Sequence, residues 1–166
     1  MLLELRELSI KDGMDVFDML REIGPGENGF MNSAYGISSG EFSSYLKENI
    51  DYSKGINLPP GYVPQTIYWL YIDSKPVGVG KLRHSLNSFL RAHGGHIGYC
   101  IRPTERCKGY GTIILKELLK KAKDNAVNEA LIICDAANIP SRRVIEANNG
   151  ELECITEGEC KFWVKQ

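Results

Sequence analysis

Arg106-Cys107-Lys108-Gly109-Tyr110-Gly111 places two cations and two glycines in six consecutive residues. The run lies between a strand-like segment, His96-Ile97-Gly98-Tyr99-Cys100-Ile101, and an amphipathic segment from near Gly109 to about Lys123. Glycine at a strand-to-helix junction lets a bulky anion approach the backbone. The first N–H groups of a helix have no partner within it and, with the helix dipole, suit a phosphate. The chemistry expected at this junction is therefore retention of a phosphorylated ligand. The spacing excludes two familiar phosphate loops. No Gly-x-x-x-x-Gly-Lys-Ser/Thr is present, and Ile114 stands where a dinucleotide fingerprint needs its third glycine.

The elements that must position this loop follow from periodicity. Leu3–Leu8 alternates as a half-buried strand does. Ser9 predicts the N-cap of a helix through Ile23, with Val16, Met19, Leu20 and Ile23 on one face. Residues 24–40 are rich in Gly, Ser and Asn; 41–49 predict a short helix, and the Pro- and Gly-containing 51–64 a loop. These irregular pieces are expected to wall a pocket. Gln65–Ile72 and Val77–Leu82 form a predicted hairpin turned at 73–76. Arg83–Gly94 reads as a connection. Leu115, Leu118, Leu119 and Ala122 give the helix after the glycine loop its apolar stripe. Ala130–Cys134 is an uninterrupted apolar run, expected as a buried parallel strand. Pro140 opens a further helix, Asn149-Gly150 closes it, and strands at 151–156 and 160–164 end the chain.

Composition narrows the class. The 166 residues suffice for a single domain, 1–166, with a substantial core. A formal net charge of −1 gives no sign of a nucleic-acid partner, and the cluster of Lys116, Lys120, Lys121 and Lys123 reads as a solvated helix face. No segment approaches a membrane span, and the acidic N-terminal residues do not fit a signal peptide. The five cysteines are odd in number and lack Cys-x-x-Cys spacing. They read as reduced thiols in a cytoplasmic protein, and no metal is expected.

Arg-x-x-Gly-x-Gly at 106–111, together with Asn138-Ile139-Pro140-Ser141, Ile145-Glu146 and Gly150, resembles the GNAT superfamily of acyl-CoA N-acyltransferases. The element order is similar too, most clearly over 65–150. The resemblance implies an α/β (α+β) fold with a mixed central sheet of six or seven strands flanked by helices, strands 4 and 5 being splayed. It implies acetyl-CoA as cosubstrate and an amine of a small molecule or protein as acceptor. An acyl-CoA-binding module without turnover is the alternative. Cofactor contacts would then fall on Cys100, Ile101, Arg106, Lys108, Gly109, Tyr110, Gly111, Thr112, Asn138 and Ser141. Pantetheine amides would fill the gap between the splayed strands like a short extra strand.

Direct attack of an amine on a thioester needs a proton acceptor and an oxyanion donor. The Ile101 N–H is the expected donor. By the resemblance His96, at the start of the fourth strand, is the expected general base, the other reading being a histidine that hydrogen-bonds structurally. His84 and Glu41 are weaker candidates. One departure stands out: Ile145 occupies the place where many GNAT enzymes carry a tyrosine acid, leaving Tyr99 or Tyr110 as substitutes. Phe162, Trp163 and Val164 near the chain end raise the possibility of a homodimer, or of packing on their own sheet.

Overall fold

A computed structural model describes residues 1–166. Seven strands form two antiparallel sheets. β1 (Leu3–Glu7), β2 (Gln65–Ile72), β3 (Lys75–Arg83) and β4 (Ile97–Ile101) lie in sequence order in the first. β5 (Glu129–Asp135), β6 (Glu151–Thr156) and β7 (Glu159–Lys165) form the second, in the order β5-β7-β6. The expected central sheet is thus divided between β4 and β5, which share no ladder; an isolated bridge joins Gly95, just before β4, to Ile132.

Five helices complete the fold. α1 (Met14–Ile23) and α2 (Phe42–Ser53) cover one face of the first sheet through Val16, Leu20 and Leu46, packed with Trp69, Val79 and Cys100. α4 (Tyr110–Asp124) covers the opposite face. Its buried stripe, including Ile114, Leu115 and Leu118, joins Leu70, Ile132 and Phe162, so one apolar core spans both sheets. Each such side chain contributes roughly 1.5–3 kcal/mol of burial. Contact between β3 and α4 is close because β3 offers no side chain there: a Cβ at Gly80 would lie 2.6 Å from Leu118 Cδ1. Strand alternation therefore turns Val79, Lys81 and Arg83 to the α1–α2 face. α3 (Ser88–His93) and α5 (Ile139–Ala147) flank the opening between the sheets.

Several boundaries differ from expectation. Ser9 does not cap α1; its N–H donates to the Asp12 carboxylate, its hydroxyl accepts from Lys11, and the helix begins at Met14 after Gly13. The connection at 83–94 contains α3, capped by the Asn87 side chain accepting from Leu90 N–H. The turn at 73–76 is tighter than expected, with Asp73 and Ser74 at positive φ and β3 starting at Lys75. Phe162 and Val164 are buried in the chain's own core, and Trp163 donates to Glu153 on neighbouring β6. No helix is long and apolar enough to cross a membrane.

Candidate active site

The site begins with the loop between β4 and α4. Cys107 and Gly109 both take positive φ, +62° and +81°, on either side of Lys108. That alternation turns successive N–H groups to one side, as in an anion nest. From Cys107 to Thr112, six consecutive N–H groups have no acceptor within the protein. The last three belong to the first turn of a 15-residue helix, whose dipole adds partial positive charge. The loop requires Gly109 for its backbone angle. Gly111 serves another purpose: a Cβ there would lie 3.2 Å from Val144 Cγ2, so its absence lets α4 and α5 approach.

The second component is the gap between β4 and β5. In the β3–β4 ladder, Arg83 N–H donates to His96 O and Arg102 N–H to Val77 O. Antiparallel parity then directs the N–H and C=O of Tyr99 and Ile101 away from β3, into the gap. By the same parity, Ala136 N–H donating to Gly158 O turns the backbone groups of Ile133 and Asp135 toward the gap from the other side. A wedge results with unpaired backbone groups on both walls, apart from the Ile101 C=O, which accepts from Arg106.

His96 closes the narrow end of this wedge. Its N–H donates to Leu131 O at 2.7 Å, and its Nδ1 accepts from Leu131 N–H at 2.9 Å. Gly95, at φ +66°, makes the approach possible, since a Cβ there would lie 2.5 Å from Leu131 O. His96 is 7% exposed, and burial with Arg91 and Arg83 nearby lowers its pKa to about 4. With Nδ1 accepting, the neutral ring carries its proton on Nε2 and has no free lone pair. The side chain lies outside the lining of the cleft. This geometry corrects the expectation of His96 as general base and gives it a structural task. His84, hydrogen-bonded to Thr66 Oγ1, and Glu41, bonded to Ser38, also lie outside the cleft.

The cleft formed by loop and wedge has a volume of about 740 Å³. It brings together Cys100, Ile101, Arg106, Gly109, Tyr110, Gly111, Thr112, Asn138 and Ser141 of the expected contacts. Lys108 is not among its lining; its ammonium donates to Glu105 at 2.7 Å, and Lys75 pairs with the same carboxylate, holding it below its usual pKa. Arg106 pairs with Glu27 and donates to Ile101 O at 3.0 Å, joining the loop to β4. Asn138 caps α5 through its side-chain oxygen, which accepts from Ser141 N–H at 3.2 Å, leaving its NH₂ for other partners. The Tyr99 hydroxyl meets Ser141 Oγ at 2.8 Å across the gap, and burial raises its pKa to about 12. Ile145, in contrast, is fully buried in the core.

Three further cleft residues escaped sequence reasoning: Lys81, Arg83 and Asp135. Lone charges on strands carry no spacing signal; only the alternation of β3 and β5 puts them on the α1–α2 side. No group of three or more His, Cys, Asp or Glu side chains is placed to hold a metal ion.

Comparison with known proteins agrees with this architecture. The chain aligns over 98% of its length with 93% of a ribosomal L7/L12 alpha-N-protein acetyltransferase, RimL, solved with coenzyme A (TM-score 0.73, 18% identity). It covers 92% of the microcin C7 self-immunity acetyltransferase MccE, solved with acetyl-CoA and AMP, over 99% of its own length (TM-score 0.70, 16% identity). It covers 99% of the Campylobacter jejuni N-acetyltransferase PseH over 100% of its own length (TM-score 0.64, 13% identity). These likenesses concern the fold. No curated protein sequence matches significantly. The acetyltransferase (GNAT) family model, however, matches residues 33–150, spanning the cleft-lining strands, the glycine loop and α5, and the chain belongs to that family of acetyltransferases.

Proposed function

We propose that this protein transfers the acetyl group of acetyl-CoA directly to an amine of a small molecule or protein. The carrying observation is the run of unpaired N–H groups from Cys107 to Thr112 opening onto a wedge with unpaired backbone on both walls. The run suits a pyrophosphate, and the wedge suits an extended chain bearing amides. Bound there, acetyl-CoA supplies an activated acyl thioester. The other parts of the mechanism belong to the chain's own residues.

The Ile101 N–H, directed into the gap, is the donor for charge developing on the acyl oxygen. The Asn138 NH₂ and the backbone of Tyr99 and Ile133 orient the cofactor's amides. Tyr99 lines the wedge, where its hydroxyl would meet the departing sulfur. A phenol at about 12 is too weak an acid to hand its proton fully to a thiolate of pKa ~8.5, so Tyr99 stabilises that thiolate by a hydrogen bond. On the opposite face, Asp135 lines the cleft without an ion partner and takes the amine's proton, directly or through water.

The test is release of free CoA from acetyl-CoA, measured against a panel of amines, amino acids and peptides. Amine-dependent release with one acetylated product per thiol is the expected result. Tight CoA binding with no release for any acceptor would favour a binding module without turnover.

A further inference from the structure

We propose that Lys81 and Arg83 form a receptor for an anionic group, a carboxylate or a phosphate, on the acceptor amine. The proposal rests on the acetyltransferase reading and specifies the substrate class of the same site.

The two cations stand two residues apart on β3, so their side chains share one face of the strand. That face is the α1–α2 face, opposite the glycine loop's helix, because Gly80, just before them, lies under Leu118 and Leu82, between them, is buried in the core beneath that helix. Both line the cleft. An acceptor approaching through the wedge from the side opposite α4 therefore meets them.

Their environment lacks the negative charge that such a pair requires. Lys81 Nζ donates to the Met31 carbonyl and lies 4.7 Å from the Phe30 ring centroid. Arg83 donates to the carbonyls of Gly94 and Gly95, each at 3.2 Å. All these partners are uncharged. Every ion pair of the chain lies elsewhere. Of the cleft carboxylates, Glu27 is bound to Arg106, Glu105 to Lys75 and Lys108, and Glu159 to His93. Asp135 forms no ion pair with either cation. Two like charges partly withdrawn from water without a counter-ion are unfavourable, and an incoming anion relieves their mutual repulsion and supplies the missing partner. Burial and the Arg83 charge accordingly bring the Lys81 ammonium down to about 8, still protonated at neutral pH. The carbonyl contacts fix both side chains in place, so the receptor is preorganised.

The test uses the full chain saturated with CoA, which occupies the phosphate-binding loop. Sodium phosphate and, separately, sodium acetate are titrated at pH 7 by calorimetry into the wild type, Lys81→Met, Arg83→Gln and the control Lys47→Met on the surface of α2. At least one anion is expected to bind the wild type and the control equally. Its affinity should fall at least tenfold in both Lys81→Met and Arg83→Gln. The anion that binds more tightly identifies which chemistry the acceptor carries. If Lys81→Met fails to fold, Lys81→Gln and Arg83→Gln decide the matter. No binding of either anion to the CoA-saturated wild type, or binding unchanged in the variants, overturns the proposal. A CoA titration made first is read separately: its failure sinks the acetyl-CoA reading, whereas CoA binding without the expected anion binding sinks only the receptor.

Discussion

Replacing His96 separates a structural clamp from a catalytic base. In the folded protein its ring accepts from Leu131 N–H at the closed end of the wedge. His96→Ala leaves that buried N–H without an acceptor, at a cost of ~1–3 kcal/mol, and loss of ring packing brings the total to ~2–4 kcal/mol. His96→Asn keeps an acceptor oxygen near the Nδ1 position and should recover most of the loss. The pH dependence supplies a second reading. Burial lowers the pKa from 6.5 to about 4, so the unfolded chain binds the proton more readily than the folded one. Stability should therefore be unaffected by this group above pH 6.5 and decline as the pH falls from 6.5 toward 4. The decline is on the order of 3 kcal/mol. His96→Asn, lacking the titrating ring, should lack this segment of the acid transition. Urea unfolding at pH 7.5, 6, 5 and 4 measures both effects, alongside kcat/KM against pH. The reasoning is refuted if His96→Asn is as stable as the wild type at every pH yet loses ~10²–10⁴-fold in kcat together with the acid limb of its profile, the pattern of a lost general base.

Gly109→Ala should lose ~1–2 kcal/mol in urea unfolding, because alanine resists φ +81°; Gly109→Asn should lose less, since Asn tolerates that region. Both should weaken acetyl-CoA binding in the same order, as read by calorimetry. Tyr99→Phe should lower kcat ~10-fold with little change in the KM for acetyl-CoA, consistent with one lost hydrogen bond to a developing thiolate; an unchanged kcat would remove Tyr99 from the chemistry. Asp135→Asn should lower kcat ~10²-fold at neutral pH, with the deficit shrinking as pH rises and more of the amine is already neutral. A deficit independent of pH would assign Asp135 to positioning instead.

Where burial and periodicity agree, the sequence was informative. β2 has its expected bounds because Ile, Tyr and Trp favour a strand and seven of its eight residues are buried. The stripe of α4 predicted its buried face for the same reason. The first turn of α1 was misread because Ser9 and Asp12 are both N-cap types, and they satisfy a turn that also receives the Trp69 indole N–H, 57 residues away. α3 has six residues, too few to show a period. In the site, the glycine loop was legible because it is local, and its members other than Lys108 line the cleft together. His96 stands just before β4 rather than at its first residue, and its structural bond is invisible in sequence because the N–H that occupies Nδ1 comes from Leu131 on another sheet. Lys81, Arg83 and Asp135 converge only once both ladders are formed. Phe162 and Val164 suit in sequence either a dimer edge or packing on their own sheet; in the fold both are buried in the chain's own core, on β7 at the centre of its sheet.

The central claim is that the glycine loop and the wedge between β4 and β5 form a single acetyl-CoA site. Residue-resolved amide hydrogen exchange, with and without acetyl-CoA, tests it most directly. Cys107 to Thr112 have no acceptor in the free protein and should become protected together, along with Tyr99 and Ile101, whose N–H groups face the gap. Protection confined to other segments, or protection of the loop with Tyr99 and Ile101 still exchanging freely, would contradict the account.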